Sequence, residues 1–278
     1  MMQLFDQVGL KCSKITTTSY STSFSLGIKL LHKKFHDPIY AIYGFVRFAD
    51  EIVDTFHEHN KAVLLERFKE DTYKAINEGI SLNPILNSFQ WVVNKYKIDR
   101  ELIDTFLHSM EMDLHQNFHD QSSYEEYILG SAEVVGLMCL QVFCEGDKVM
   151  YDNLKHQAMK LGSAFQKINF LRDLPADYLH LGRTYFPGVD MSRFDESVKK
   201  EIEADIEKDF ATGLEGILNL PMGAKLGVYV AYVYYYNLFN KIKNIPASEL
   251  MRKRARIPNI KKIGLVFSSY FRLRFNLL

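Results

Sequence analysis

Apolar residues recur at three- and four-residue intervals almost throughout this chain, and no stretch shows the sustained alternation that a half-buried sheet requires. Only 7 prolines and 15 glycines interrupt 278 residues. Neither a low-complexity linker nor a repeat of fixed period divides them. The reading is one all-α domain, residues 1–278, folded as a helical bundle. Lys plus Arg and Asp plus Glu both total 34, so no net field draws in nucleic acid. Cys12, Cys139 and Cys144 are odd in number and form no CxxC, which fits a reducing compartment. No apolar run of signal-peptide length stands near Met1. The most apolar run is taken as Leu226 to Phe239, too short to span a bilayer. A cytoplasmic protein is expected.

The chemistry concentrates between Gln166 and Pro187, which hold two amides, two carboxylates, two guanidiniums and two phenols. Asp173 and Asp177 are four apart, hence neighbours across one helical turn. Asp is a middling helix former, so such a pair needs a reason. Oxygen ligation of magnesium is one. Capping by Asp177 after a break at Pro175 is the other.

A second pair, Asp50 and Asp54, repeats that spacing, with Arg47 three residues ahead. Alone it could be a surface ion pair of little energetic weight. Its neighbours Ile42, Phe45, Val46, Phe48, Ala49, Ile52 and Val53 are all apolar, however. A helix apolar on nearly every side is buried, and buried acids must be paired or metal-bound.

Several other stretches keep two readings open. Tyr20 to Ser23 is rich in hydroxyls, either an N-cap or a set of donors to phosphate oxygens. Pro38 is expected to start a helix, and Asp195 to Asp209 reads as a solvated face of mixed charge. His115 and His119 have metal-ligand spacing but no evident third ligand. After Glu249 no acid remains, while Arg252, Lys253, Arg254, Arg256, Lys261, Lys262, Arg272 and Arg274 follow among apolar residues. That tail either lies peripherally on an anionic inner membrane surface or docks on the core, and Arg254 and Arg256 are in a position to reach a bound phosphate.

Two Asp pairs in a helical bundle make a cage for Mg²⁺ with open positions for ligand oxygens. A diphosphate is the natural ligand, with arginines neutralising the remaining charge. Loss of that leaving group from an allylic carbon gives a cation that aromatic faces stabilise. An apolar interior keeps water from it.

The chain resembles the squalene/phytoene synthases, the head-to-head branch of the all-α isoprenoid synthases. The resemblance runs from Tyr20 to about Lys262. It rests on Ala41 to Asp54, on Val135-Gly136-Leu137-Met138 and on Gln166 to Pro187, with Leu220-Pro221 as a weaker match. It implies a helical bundle with a central active-site cavity. It implies that Asp50, Asp54, Asn169, Asp173 and Asp177 hold Mg²⁺, with Mn²⁺ as a substitute. Tyr20, Ser21, Thr22 and Ser23 match the hydroxyl-rich substrate segment. Tyr43, Arg47, Gln166 and Arg172 match substrate contacts, as does Tyr235, where the alignment can slip to Tyr236. Arg183 and Tyr185 match the end of the signature.

The implied reaction condenses two prenyl diphosphates through a cyclopropyl diphosphate to a 1′-1 coupled polyene. Ile28, one turn beyond Phe24, leaves room for long tails, so two geranylgeranyl diphosphates giving phytoene is the favoured product, without NADPH. The alternatives are a C30 product from farnesyl diphosphate and a non-catalytic helical assembly factor. A chain-lengthening or cyclising synthase would carry a DDxxD run. The chain departs from the family at Ala176, where an acid is common, at Ile168, where Thr is usual, and at Asn117-Phe118, where an Arg-Tyr pair often stands.

Overall fold

The computed structural model describes residues 2–115, 120–176, 185–187, 189 and 194–274, and among them every regular element is helical. Thirteen α-helices follow in order: α1 (Met2–Tyr20), α2 (Thr22–Lys29), α3 (Lys33–Asp54), α4 (Lys61–Glu78), α5 (Pro84–Tyr96), α6 (Arg100–His115), α7 (Gln121–Ile128), α8 (Val134–Cys144), α9 (Lys148–Ala176), α10 (Glu196–Asn219), α11 (Met222–Lys243), α12 (Ala247–Leu250) and α13 (Asn259–Arg274). A π-helical turn, Leu129–Glu133, joins α7 to α8. Local chemistry sets many of the boundaries. Asn60 and Asn83 accept hydrogen bonds from the first turns of α4 and α5, with Pro84 at the first helical position. Gly79 closes α4 with a φ of 72°, and Leu220-Pro221 separates α10 from α11.

Helix α3 is the axis of the bundle, with α1, α4, α5, α6 and α8 packed around it. Phe45 on α3 is fully buried and stacks on Phe89 at 3.8 Å and on Phe68 at 5.5 Å. Helix α9 packs against α8 and the π turn and runs antiparallel to α10, and α11 closes on α2. Glycines permit the tightest crossings. A Cβ on Gly162 would stand 2.7 Å from the Ala132 carbonyl oxygen, and one on Gly227 would stand 2.6 Å from that of Gly27.

Three expectations need correction. Pro38 does not start its helix: α3 begins at Lys33, capped by the His32 side chain, and carries Pro38 inside. The most membrane-like run is Gln121–Cys144 rather than Leu226 to Phe239; by length and composition it could cross a bilayer, yet it is largely buried inside the bundle. The charged face of α10 is not simply solvated. Lys199 is buried, holding Glu203 at 2.7 Å and the Lys243 carbonyl at 3.2 Å. Asp209 is buried as well, accepting from Lys167 Nζ at 2.7 Å and Ser163 Oγ at 2.8 Å. Their partners sit on other helices or across a turn, where a charge pattern along one strand of sequence does not show them.

Candidate active site

A cavity of about 550 Å³ runs into the bundle between α2, α3, α8, α9, α10 and α11. Its lining divides by chemistry. Tyr20, Ser21, Tyr43, Arg47, Asp50, Gln166, Asn169, Arg172, Tyr235 and Arg254 form the polar part. Below them the wall is apolar, with Ile28, Leu31, Ile39, Leu140, Phe143, Leu154, Leu161, Ile217 and Leu220. Helical phase explains the arrangement: Leu154, Ala158, Leu161, Phe165, Asn169 and Arg172 follow at three- and four-residue steps down one face of α9. Four rings mark the boundary between the two parts. Phe24 lies 5.9 Å from both Tyr43 and Tyr235, and Phe165 stacks on Tyr235 at 4.1 Å.

On the α3 wall, Arg47 is hydrogen-bonded to Glu51, lies 3.8 Å from Asp50 and rests its guanidinium 4.3 Å from the centre of the Tyr20 ring. Burial, with Asp54, Asp113 and Glu51 nearby, raises Asp50 from 3.8 to about 7 against the opposing pull of Arg47. Asp54 itself is exposed. On the α9 wall the balance is reversed. Arg172 Nε donates to both oxygens of Asp173 at 3.1 Å, and Arg254 Nε lies 2.6 Å from Oδ1. Burial pulls Arg172 down, but its bonds to Asp173 outweigh that and leave it raised. Tyr235 donates to Asn169 Oδ1 at 3.3 Å, and burial pushes its phenol up to about 12.

The structure therefore gathers Tyr20, Ser21, Tyr43, Arg47, Asp50, Gln166, Asn169, Arg172 and Tyr235 around one cavity. It resolves the slip between two tyrosines: Tyr235 faces the cavity, while Tyr236 packs on Phe210 at 5.3 Å. Thr22 and Ser23 are not gathered. They begin the first turn of α2, capped by Ser21, whose Oγ accepts from the Phe24 amide at 3.2 Å, and neither lines the cavity. Ser21 is thus an N-cap that also lines the cavity. Asp177, Arg183, His119 and Asn117-Phe118 lie outside the described residues.

Two residues of this region carried no site role in the sequence. Tyr127 lines the cavity and donates to Asp113 Oδ2 at 2.8 Å, and Asp113 in turn adds to the charge around Asp50. No spacing in the sequence singles out Asp113, because the neighbours that give it meaning lie on α3 and α7.

The donors suit a hard cation, being carboxylates and an amide oxygen with no thiolate or imidazole among them. Among the described residues no three acidic, His or Cys side chains meet closely enough to form a ready metal cage. The raised Asp50 is nonetheless a carboxylate crowded by like charge, which a bound cation would relieve.

An all-α bundle enclosing an acid- and arginine-lined mouth over an apolar cavity belongs to the class of helical isoprenoid synthase folds. Residues 17–261 match the squalene/phytoene synthase family, and the chain is a member of it. It is 26% identical to the phytoene synthase of Arthrospira platensis over 91% of this chain and 89% of that protein. It is 27% identical to a 4,4′-diapophytoene synthase of Staphylococcus haemolyticus over 67% of this chain and 65% of the other. The matched part also spans 66% of the chloroplastic phytoene synthase 1 of Solanum lycopersicum and of Arabidopsis thaliana, about two thirds of their length. A crystal structure of a dehydrosqualene synthase superposes with a TM-score of 0.83 at 20% identity, covering 97% of this chain and 98% of that one.

Proposed function

We propose that this protein couples two prenyl diphosphates head to head, forming a cyclopropyl diphosphate and then a 1′-1 linked polyene, with two geranylgeranyl diphosphates giving phytoene. The observation that carries the reading is the division of one cavity into a charged mouth, a ring of four aromatic side chains and an apolar shaft. Asp50, Asp54, Asn169, Asp173 and Asp177 would hold Mg²⁺ or Mn²⁺, which draws charge onto the diphosphate as it leaves.

The chain's own groups account for the rest. Arg47, Arg172 and Arg254 present guanidiniums to diphosphate oxygens, and Tyr20, Ser21 and Gln166 add hydrogen-bonding groups around them. Phe24, Tyr43, Phe165 and Tyr235 surround the level at which the allylic carbon would lie, where their faces stabilise positive charge. The wall below excludes water that would quench a cation. Burial keeps Tyr43 and Tyr235 protonated, so each remains a neutral donor. Release of two diphosphates and two protons, one of each at each of the two steps, balances the coupling without a reductant, so NADPH has no part in it. Buried Ile28 lines the shaft, and α9 offers about 22 Å from Asn169 to Leu154, enough for a tail of four isoprene units at about 5 Å each.

Purified protein given Mg²⁺ with geranylgeranyl or farnesyl diphosphate, with and without NADPH, tests this by product mass. A C40 hydrocarbon without NADPH is expected. A C30 product alone would move the assignment to farnesyl diphosphate, and no coupled product from either substrate would refute it. Helix α13 packs on α11 yet leaves Tyr270 and Phe271 about half exposed beside Arg272, so we further propose that this segment rests on an anionic membrane surface.

A further inference from the structure

Arg47 and Asp50 both line the cavity from α3, three residues apart, which is the spacing of a helical ion pair. They nonetheless stand 3.8 Å apart, beyond hydrogen-bonding reach. The guanidinium gives its hydrogen bond to Glu51 instead, through Nη2. The opposite wall is built otherwise. There Arg172 and Arg254 both bond the carboxylate of Asp173, and among the described residues no second acid diverts them.

Glu51 does not itself line the cavity. One residue beyond Asp50, it is turned about 100° around the helix, and its side chain is 13% exposed. It reaches the site through Arg47. The Tyr20 ring lies against the same guanidinium, 4.3 Å from ring centre to Cζ. Nε is closed off within the wall and Nη2 is committed to Glu51, which leaves Nη1, on the Asp50 side, for a ligand. An arginine with no other partner would pair with the acid three residues on. Such a pair would consume at once the guanidinium offered to a diphosphate and the carboxylate offered to a cation. Glu51, one turn from Arg47 and longer than Asp50, takes the guanidinium first.

We propose that Glu51 is a positioning residue: by binding Arg47 it keeps that guanidinium off Asp50, so that Arg47 stays available to diphosphate oxygens and Asp50 to the metal. This inference rests on the prenyl-coupling reading for the identity of those ligands.

The test is a double-mutant cycle of Glu51→Gln, Arg47→Gln and the double variant. It is read as binding of inorganic diphosphate with Mg²⁺, from protection against thermal unfolding, and as KM and kcat for geranylgeranyl diphosphate. Glutamine keeps the shape of Glu51 but, being neutral, loses Arg47 to the Asp50 carboxylate. Glu51→Gln should weaken diphosphate binding and raise KM about tenfold, with kcat changed less than about threefold. Its melting temperature without ligand should stay within about 3 °C of wild type, because Arg47 only changes partners. Glu51→Met, apolar and similar in length, gives the same comparison if the amide itself still holds Arg47. In the Arg47→Gln background no guanidinium is left to divert, so the further change Glu51→Gln should alter binding less than about twofold. An equal loss in both backgrounds would overturn the proposal, as would wild-type binding in both Glu51→Gln and Glu51→Met. The two readings fail separately, because the binding cycle needs no turnover. Coupled losses at positions 47 and 51 in a protein that forms no product support the role of Glu51 and refute prenyl coupling, whereas product formed with independent losses does the reverse.

Discussion

The uncompensated charge at Asp50 should make the metal-free protein less stable than a variant that cannot ionise there. Asp50 lines the cavity with its side chain 32% exposed, and Arg47 is 3.8 Å away. Burial first, then Asp54, Asp113 and Glu51, carry it from 3.8 to about 7. The folded state thus binds this proton more tightly than the unfolded chain. The resulting stability is fully present below about pH 4 and is lost as pH rises through about 7. A shift of about three units corresponds to roughly 4 kcal/mol, and partial exposure to solvent reduces this to about 2 kcal/mol. Asp50→Asn keeps the shape and removes the charge. Metal-free Asp50→Asn should therefore melt roughly 4–8 °C above wild type at pH 8 and above it by less than half that margin at pH 5. Adding Mg²⁺ with diphosphate should raise the wild-type melting temperature and leave the variant nearly unmoved, while coupling activity is abolished. Thermal melts in chelator and in Mg²⁺-diphosphate, at both pH values, supply all the comparisons. An Asn variant no more stable than wild type at pH 8, or more stable by the same margin at pH 5, would refute the like-charge argument.

Lys167→Met leaves Asp209 buried with only Ser163 and the more distant Lys160 at 3.7 Å, so a loss of about 3 kcal/mol is expected, read as a fall of roughly 6–12 °C in the melt. A double variant with Asp209→Asn should recover part of it, and failure to do so would count against the pair. Arg254→Gln should leave the melting temperature within about 2 °C, because a half-exposed ion pair contributes little, while raising the KM for prenyl diphosphate about tenfold or more. Gly162→Ala drives a Cβ toward the Ala132 carbonyl, which backbone cannot readily yield, and should cost about 1–3 kcal/mol in denaturant unfolding.

The legible parts of the sequence were those whose meaning is local. Arg47 and Asp50 among apolar neighbours mark a partly buried charged face, although Asp54 one turn further on is exposed, and Asn83-Pro84 and Leu220-Pro221 break helices by their own stereochemistry. Illegible were features set by a distant partner or by a change of helical phase. The π turn at Leu129–Glu133 brings Ser131 and Ala132 into the cavity, but an inserted residue in an almost wholly apolar run leaves no trace in composition. Lys199 and Asp209 looked solvated because their neighbours in sequence are charged, whereas burial was decided by α9 and α11. Thr22 and Ser23 share the composition of Tyr20 and Ser21 but not their direction, since one helical turn carries adjacent residues to different faces.

The same distinction explains why the two acidic motifs, so alike in sequence, differ in the folded protein. Asp50 faces like charges with one guanidinium 3.8 Å away, and Asp173 is gripped by two, one of them contributed from 81 residues further along the chain. The α3 wall is short of positive charge and the α9 wall has it in place. The proposed cation would relieve the first wall directly, whereas at the second it would have to displace guanidiniums from Asp173 before that carboxylate could serve it. Guanidiniums so displaced remain at the mouth, beside the place where diphosphate oxygens would lie, and Arg172 and Arg254 can pass from carboxylate to phosphate with little loss of partners. If the proposed metal and diphosphate bind here, the arginines and the acids would be alternatives in one exchange, and either ligand alone would leave one wall unbalanced.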